Sequence, residues 1–316
     1  MGSHYRIADA PSFGMGTIRN VTVTRPLHVH VHVSGSGGTS LCELARISDM
    51  GPLPLYNCQL PLKRHEQWRA LLTSERQPRA ARSCKGLYVV MQSFSYSFGM
   101  IESPAPHWLD CPRVQYSFFM VDPVRRVLRW AYEYCVRRGA NGKWDLGSDC
   151  DPMGLLRRWY NATAGWVVEG PHWHGQQCYY GTPSVSEYNL RFLLPTVDAF
   201  RAPLGALGVA DLQKAKRRLH GFRLAIAIDV VSVEELAIHV SAAFGWPRSI
   251  QRLGGGAIFD IAKRGMRTAP PEHAALVRAH NPLDVALYDW LSEAPIIHGR
   301  RCAKCSDSFI SRLMYR

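Results

Sequence analysis

Residues 27–47 read LHVHVHVSGSGGTSLCELARI, and this stretch decides the fold. Its first part, Leu27 to Val33, alternates strictly between two kinds of side chain, which is the period of a β-strand. A turn rich in Gly and Ser follows, and the apolar spacing after the turn suits a helix. A strand, a loop and a helix in this order can cradle an anion, because the free amides of a helix N-terminus point into the loop.

Further strands and helices are predicted on the C-terminal side of this stretch. Two strand candidates are GLYVVMQ from Gly86 and VQYSFFMV from Val114, and their lack of polar alternation indicates a sheet covered on both faces. The next segment, DPVRRVLRWAYEYCVRR, predicts a helix with Asp122 as its cap and Pro123 in its first turn. Its predicted buried face consists of Val124, Val127, Leu128, Ala131 and Cys135. The recurrence of strand and helix favours an α/β fold with parallel strands.

The second half of the chain continues this pattern. A buried strand is predicted for FRLAIAIDVV, and a helix for SVEELAIHVSAAFGW, with a capping box of Ser232 and Glu235 and an end at Gly245. A last helix is predicted for NPLDVALYDWLSE, with Asn281 as its cap. Residues 139–182 are rich in Gly, Trp, His and Cys, and we expect long loops there.

Composition narrows the class of protein. The chain has 316 residues and a formal net charge of +13, which favours anionic partners such as nucleic acid, sulfated sugar, acidic lipid or an acidic protein surface. With 47% apolar and 20% charged residues, it is neither disordered nor fibrous. No apolar run approaches the roughly 18 residues of a membrane helix, and the first residues lack the apolar core of a signal peptide. The nine thinly spread cysteines predict mostly reduced thiols in an intracellular compartment.

The chain divides into three parts by pattern. Residues 1–26 mix Gly, Pro, Ser and Thr without a period and predict an extended N-terminal arm. Residues 27–295 contain the predicted strands and helices and form the α/β domain. Residues 296–316 are a basic C-terminal tail without a clear period.

A specific order of motifs runs from about Leu27 to Glu293: a strand that ends in a His, the GGTS loop, then SFSYSFGMIE, FFMVDPVRRVL, SEYNLRFLL, KAKRRLHGFRLAIAI and NPLDVALYDWL. This order resembles the carbohydrate sulfotransferases of the heparan sulfate 2-O and 6-O type. The resemblance implies a P-loop-like central parallel sheet flanked by helices, with irregular N- and C-terminal extensions. It also implies transfer of a sulfuryl group from 3′-phosphoadenosine 5′-phosphosulfate (PAPS) to a sugar hydroxyl.

Four positions depart from the family's pattern, and all four concern charge or proton transfer. The lysine that supplies positive charge to the leaving nucleotide is replaced by Gly35, and the histidine base by Ser95. The arginine and serine that hold the 3′-phosphate are replaced by Val121 and Arg129. Because such groups stabilise the transition state and accept the proton of the acceptor, the resemblance implies a fold that has lost its reaction.

Two alternatives keep a functional site, and no catalytic residue is assigned in advance. In the first, the loop residues Gly37, Gly38, Thr39 and Ser40 hold another ligand that carries a phosphate. In the second, the chain is an active sulfotransferase with a rebuilt site. The residues proposed for that site are Arg126, Arg129 and Arg191 as a 3′-phosphate clamp, Lys85 or Lys63 as the loop cation, and Glu102 or His107 as the base.

Three other groups of residues have both a chemical and a packing interpretation. The His28, His30 and His32 side chains share one face of the first strand, where they could ligate a metal, and we favour neutral interlayer histidines. In the second group, Cys302 and Cys305 form half of a zinc site, which Cys178 with His172 or His174 would complete. The third group is the aromatics Trp130, Tyr132 and Tyr134, which could stack on bases or sugars. We predict that neither the histidines nor the cysteines bind a metal, and that the three aromatic side chains serve packing.

The sequence therefore predicts a noncatalytic, sulfotransferase-like accessory subunit of a larger assembly. A mitochondrial complex or a ribosome would be an example of such an assembly, so the expected location is intracellular and mitochondrial. A location in the Golgi lumen is expected only if an anchor has been removed from the chain. Its expected partners are other protein subunits, acidic surfaces or nucleic acid. No cofactor is expected, except PAPS or its product 3′-phosphoadenosine 5′-phosphate (PAP) if the chain is active.

Overall fold

A computed structural model describes residues 27–33, 36–48, 58, 84, 87–88, 91, 97–101, 110–138, 144–147, 149–161, 172–173, 176–177, 186–194, 199, 202–246, 265 and 267–301. Its strands are β1 (Leu27–Val31), β2 (Phe98–Ile101), β3 (Val114–Met120), β4 (Val136–Arg138), β5 (Trp144–Leu146), β6 (His172–Trp173), β7 (Gln176–Gln177), β8 (Leu224–Ala227), β9 (Ile296–Ile297) and β10 (Arg300–Arg301). Its helices are α1 (Gly38–Ile47), α2 (Pro123–Cys135), α3 (Pro152–Asn161), α4 (Tyr188–Leu193), α5 (Val209–Leu219), α6 (Val233–Phe244), α7 (Pro271–Ala279) and α8 (Pro282–Glu293).

The centre of the described structure is a mixed sheet of six strands in the order β10-β9-β8-β3-β1-β2. Strand β1 pairs in parallel with β2 and β3, and β3 pairs in parallel with β8. Strands β9 and β10 extend the sheet antiparallel beyond β8. The α/β fold is confirmed, but the sheet is not wholly parallel. Residues 296–301, which the sequence pattern assigned to the tail, belong to the sheet, whereas residues 1–26 and 302–316 lie outside the described part.

Helices cover both faces of this sheet. On one face, Val29 and Phe118 pack with apolar residues of α2, α3, α4, α5, α7 and α8. On the other face, Phe119 and Ile226 pack with residues of α1 and α6. The predicted sheet covered on both faces is therefore confirmed, and all five residues of β1 are buried. No helix in the described residues is long and apolar enough to cross a membrane.

Strong local signals predicted several elements correctly. Helix α2 begins after Asp122, whose Oδ1 accepts a hydrogen bond of 2.8 Å from the Val124 amide. All five residues of its predicted inner face are buried. Helix α6 has the predicted capping box, in which Ser232 and Glu235 exchange hydrogen bonds of 3.1 and 2.7 Å, and it ends at Gly245. Strands β3 and β8 also occur where they were predicted.

Two predictions of secondary structure are wrong. Leu87, Tyr88 and Met91, within the strand predicted from Gly86, are helical. With Cys84 they follow the spacing i, i+3, i+4 and i+7, and a short apolar run does not separate strand from helix. The region predicted as long loops contains α3, which buries Leu155, Leu156, Trp159 and Tyr160. With the buried Pro152, residues Leu155, Leu156 and Trp159 also follow that spacing, which the aromatic and glycine-rich composition around them concealed.

Three disulfide bonds correct the prediction of mostly reduced thiols. The bonded pairs are Cys42 with Cys58, Cys84 with Cys111, and Cys135 with Cys150. Six of the nine cysteines are thus paired, and the other three lie outside the described residues. The low density of cysteine did not reveal the pairs, because each joins residues 15 to 27 positions apart that only the fold brings together.

Candidate functional site

The order of strands places a topological switch point at the carboxyl ends of β1 and β3. From β1 the chain passes through α1 to β2 on one side, whereas β3 and then β8 lie on the other side. In open α/β sheets, ligands bind outside the carboxyl ends of the strands where the connections diverge in this way. The residues found there are His32 and Ser36 after β1, Asp122 after β3, and Asp229 after β8.

The loop after β1 leads directly into the N-terminus of α1. The Ser36 amide donates a hydrogen bond of 3.0 Å to the Val33 carbonyl, which closes a tight turn. Gly37 then adopts φ = 78°, a left-handed conformation that glycine accepts without strain, and it caps α1 without a side-chain acceptor. The first amides of a helix have no partner within the helix, and Gly37 offers those of α1 no side-chain acceptor.

The two glycines of this loop allow close contact with neighbouring side chains. A Cβ atom on Gly37 would lie 2.8 Å from Cδ1 of Ile228. A Cβ atom on Gly38 would lie 2.6 and 2.7 Å from the two ring nitrogens of His32, so the imidazole packs directly against the start of α1. His32 is 4% exposed. The loop is therefore a closely packed structure in which glycine is required twice for space.

Ser36 is the residue of this loop that has an unused polar group. It is completely buried, and its hydroxyl has no hydrogen-bond partner in the described residues. A buried hydroxyl without a partner is costly, and it commonly marks a site that a ligand or water completes. Sequence reasoning did not select Ser36. Of the predicted residues beside it, Ser40 is partly buried, and the side chain of Thr39 lies outside the described part of the structure.

The histidines of β1 confirm the interlayer interpretation. His28 packs against the rings of Phe244 and Trp246, with centroids 4.9 and 5.8 Å apart, and burial lowers its pKa to about 4. His30 Nδ1 lies 2.9 Å from the Ser117 hydroxyl, and burial lowers the pKa of His30 well below its usual value. Both rings are therefore neutral at pH 7. Within the described residues, no group of three His, Cys, Asp or Glu side chains could hold a metal.

The carboxyl ends of β3 and β8 are acidic. Asp229 Oδ2 accepts a hydrogen bond of 3.0 Å from the Asp122 amide, and Oδ1 accepts one of 2.8 Å from the Tyr288 hydroxyl. Burial and the Asp229 carboxylate raise the pKa of Tyr288. Arg125, whose side chain is 60% exposed, lies 3.6 Å from Asp229. Among the described residues, this end of the sheet thus has two carboxylates and one guanidinium group, which does not favour a polyanionic nucleotide.

Two of the three arginines predicted to clamp a 3′-phosphate, Arg126 and Arg129, lie on α2 and contact other side chains of the protein. Arg126 is 1% exposed, and its guanidinium lies over the rings of Trp130 and Tyr188, 4.5 and 4.8 Å from their centroids. Burial lowers the pKa of Arg126 to about 10. Arg129 forms an ion pair of 2.8 Å with Glu133. Cation–π contact and ion pairing give both side chains a packing role.

The third arginine, Arg191 on α4, holds the chain that follows this helix. Its Nε donates a hydrogen bond of 2.8 Å to the Ser186 carbonyl, and its Nη1 donates to the carbonyls of Ala199 and Ala202 at 3.3 and 2.6 Å. The Arg191 side chain is 1% exposed. The structure thus places Arg126, Arg129 and Arg191 in internal contacts, and sequence patterns could not show these because the Arg191 partners belong to an irregular segment.

A buried network that the sequence did not reveal joins α4 to α8. The Glu187 carboxylate accepts hydrogen bonds of 2.9 and 2.5 Å from the amides of Leu283 and Asp284 at the start of α8. The Asp284 carboxylate accepts hydrogen bonds of 2.8 and 3.0 Å from the amides of Leu190 and Asn189 at the start of α4. Each helix start is therefore capped by a side-chain carboxyl group that the other segment supplies, and this group satisfies amides that have no partner within the helix.

Asn281 is the N-cap residue of α8 as predicted, but its side chain accepts no hydrogen bond from an amide of that helix. Its Oδ1 accepts a hydrogen bond of 2.9 Å from the Glu187 amide, and its Nδ2 donates to the Tyr160 hydroxyl at 3.1 Å. Asn281 thus joins α8 to α3 and α4, and Glu187 takes over the capping. Burial and the neighbouring Asp284 carboxylate raise the pKa of Glu187 to about 8, and burial also raises the pKa of Asp284.

The remaining candidates divide into packing residues and residues outside the described part. Trp130 and Tyr132 are buried, which confirms packing for these two aromatics. The candidates whose side chains lie outside the described residues are Gly35, Lys63, Lys85, Ser95, Glu102, His107, Tyr134, His172, His174, Cys178, Cys302 and Cys305.

Comparisons with known proteins add no relative to this description. The chain matches no protein-family model, no curated protein and no solved structure.

Proposed function

We propose that the chain is a noncatalytic, sulfotransferase-like domain that serves as an accessory subunit of a larger assembly. The observation that carries this proposal is the commitment of Arg126 and Arg191 to internal contacts. Both guanidinium groups are 1% exposed and bind side chains or carbonyls of the protein itself. A nucleotide clamp needs cations that face the ligand, because the charge of a transferred group must be met by donors aimed at it.

The charged side chains at the switch point also support this proposal. A sulfuryl transfer leaves negative charge on the departing nucleotide, and a cation near that oxygen lowers the barrier. Among the described residues at the switch point, the single guanidinium of Arg125 lies near Asp229, and the Asp122 carboxylate accepts a hydrogen bond from the Val124 amide. In addition, Gly35 stands at the position where the sulfotransferases that this sequence resembles have a lysine.

The exposed basic surface gives the proposed subunit a means of binding partners. Lys216 Nζ lies 5.1 Å and the Arg301 guanidinium 4.7 Å from the centre of the Trp290 ring. Arg300 and Arg301 are exposed on the edge strand β10. A tryptophan on α8 flanked by cations from α5 and from the edge strand suits an acidic protein surface, since aromatic residues and arginine are enriched at interfaces.

The three disulfides change the compartment that we propose. Disulfides persist in oxidising environments and are rare in the cytosol. We therefore place the chain in an oxidising lumen, such as that of the secretory pathway, instead of a mitochondrial matrix complex. Cys135–Cys150 and Cys42–Cys58 each attach a helix to a neighbouring segment, which is the use that folded secretory domains make of such bonds.

A second candidate function, an active PAPS-dependent sulfotransferase acting on a carbohydrate hydroxyl, has one specific observation in its favour. Ser36 places a buried hydroxyl without a described partner beside the uncapped N-terminus of α1, and such a helix start binds phosphate readily. Lys63 or Lys85 would then supply the missing charge, and Glu102 or His107 the base.

Titration calorimetry with PAP separates the two candidates. An accessory subunit gives no heat of binding up to millimolar PAP. Micromolar binding contradicts it and calls for a transfer assay with radiolabelled PAPS over a panel of glycans. A matched pair of variants assigns any binding to the loop. Gly38→Ala would insert a methyl group against His32, whereas Gly208→Ala alters a glycine with no atom within 4 Å of its added Cβ.

Purification of the chain from its own cells, with crosslinking before lysis, tests the accessory role directly. Stoichiometric crosslinks to other subunits are expected, with crosslinked lysines that include Lys216. A chain that is recovered as a free monomer under these conditions contradicts the proposal.

A further inference from the structure

Helix α3 ends at an exposed asparagine that begins an acceptor tripeptide for N-linked glycosylation. Residues 161–163 read Asn-Ala-Thr, which fits the pattern Asn-x-Ser/Thr with x other than proline. Asn161 is the last residue of α3 and is exposed, whereas its neighbour Tyr160 is buried. The tripeptide pattern alone is common in proteins, so the exposure of the asparagine and the compartment of the protein decide whether it is glycosylated.

The packing of α3 explains why Asn161 faces solvent. The helix buries Leu155, Leu156 and Trp159 against the core, and Arg157 and Arg158 are exposed on its opposite side. Tyr160 is held inside by the Asn281 amide, which donates to its hydroxyl at 3.1 Å. The next residue therefore points away from the core at the end of the helix. A bulky, hydrophilic modification at this position requires no rearrangement of packed side chains.

The compartment is indicated by an independent observation in the same part of the chain. The disulfide between Cys135 and Cys150 joins the end of α2 to the segment that leads into α3. Disulfides and N-linked glycans are acquired in the same oxidising lumen. A chain that forms this bond is therefore exposed to the glycosylation machinery while α3 folds.

We propose that Asn161 carries an N-linked glycan, and this inference rests on the luminal compartment proposed above. In the reaction, the side-chain amide nitrogen of Asn161 bonds to the anomeric carbon of the first sugar. The bond between that carbon and the pyrophosphate of a lipid-linked oligosaccharide breaks, the amide loses one proton, and the lipid pyrophosphate leaves. Nothing is oxidised or reduced. A glycan at this position marks the outer side of α3 as facing solvent, away from a partner subunit.

Peptide mapping of the protein purified from its own cells tests the assignment. A digest without reducing agent, treated with peptide N-glycosidase F in heavy-oxygen water, converts a glycosylated Asn161 to labelled aspartate. The expected result is labelled aspartate at position 161 together with the Cys135–Cys150 linked peptide. An unmodified asparagine at position 161 beside an intact disulfide overturns the glycan alone. Free thiols at Cys135 and Cys150 overturn the luminal compartment as well.

Variants of the full chain, expressed in eukaryotic cells behind a secretory leader, separate the tripeptide from the asparagine itself. Asn20→Gln first removes the second acceptor tripeptide of the sequence, Asn20-Val21-Thr22, which lies outside the described residues. In this background, Asn161→Gln and Thr163→Ala each abolish the mobility shift that the glycosidase produces, and Thr163→Ser retains it. A shift that persists in Thr163→Ala, or no shift in the unmodified tripeptide, contradicts the proposal.

Discussion

Replacing Asp284 by alanine tests the buried network between α4 and α8. The Asp284 carboxylate is 0% exposed and accepts three hydrogen bonds of 2.8 to 3.0 Å, from the amides of Asn189 and Leu190 and from the Asn189 side chain. Each buried donor left unsatisfied costs about 1 to 3 kcal/mol. Local relaxation limits the sum, and removing one partner of a buried charged group typically costs about 3 to 5 kcal/mol. We expect a loss of this size in the free energy of unfolding.

Urea unfolding followed by circular dichroism measures this loss. Asp289→Ala is the matched control, because Asp289 lies on the same helix and is exposed. It should change the free energy of unfolding by less than about 0.5 kcal/mol. The Arg126 guanidinium interacts electrostatically with the Asp284 carboxylate, so part of the loss in Asp284→Ala comes from the uncompensated charge of Arg126. The double variant Arg126→Met/Asp284→Asn should therefore lose less than the sum of its single variants. Equal losses in Asp284→Ala and Asp289→Ala would refute the capping role.

Three further predictions concern other parts of the structure. Cys135→Ser/Cys150→Ser opens a loop of 15 residues and should lower the free energy of unfolding, measured in urea, by about 3 kcal/mol. An unchanged urea midpoint would show that these thiols are free and would contradict the disulfide. Gly38→Ala should lower the free energy of unfolding by about 1 to 3 kcal/mol, because the added methyl group overpacks against His32. In calorimetric melts, adding His32→Ala to this variant should restore part of the lost stability. The pKa of Glu187 rises from 4.5 to about 8, so its contribution to stability is present below about pH 4.5 and is lost as the pH rises through 8. Glu187→Gln should flatten this decline, and an unchanged pH profile would contradict the assignment.

Local sequence signals predicted the elements whose stability depends on nearby residues. The alternation before Gly37 and the cap and proline at Asp122 and Pro123 act over a few positions, so β1, α1 and α2 could be located. The helical residues Leu87, Tyr88 and Met91 were mistaken for part of a strand, because so short an apolar run fits both periods. Helix α8 was located correctly with Asn281 at its N-cap position, but the side chain that binds its first amides is that of Glu187.

The candidate site was less predictable, because its decisive contacts are between distant residues. Glu187 and Asp284 cap each other's helices across 97 positions, and no local pattern identifies such a pair. The roles of Arg126 and Arg191 depend on aromatic rings and carbonyl groups that only folding brings near them. The disulfides were missed for the same reason, since spacing alone does not determine which cysteines meet. The resemblance to sulfotransferases suggested the loop, but it could not indicate that Ser36 is buried there without a described partner.

The mutual capping of α4 and α8 has a consequence for synthesis on the ribosome. Helix α4 has six residues, too few to be stable in water alone. The nascent chain exposes Tyr188–Leu193 long before Asp284 leaves the exit tunnel, so this middle segment must wait for the end of translation to become ordered. A premature stop codon ahead of α8 would therefore release a polypeptide with an unfinished centre as well as a missing end, which is a substrate for chaperones and proteases.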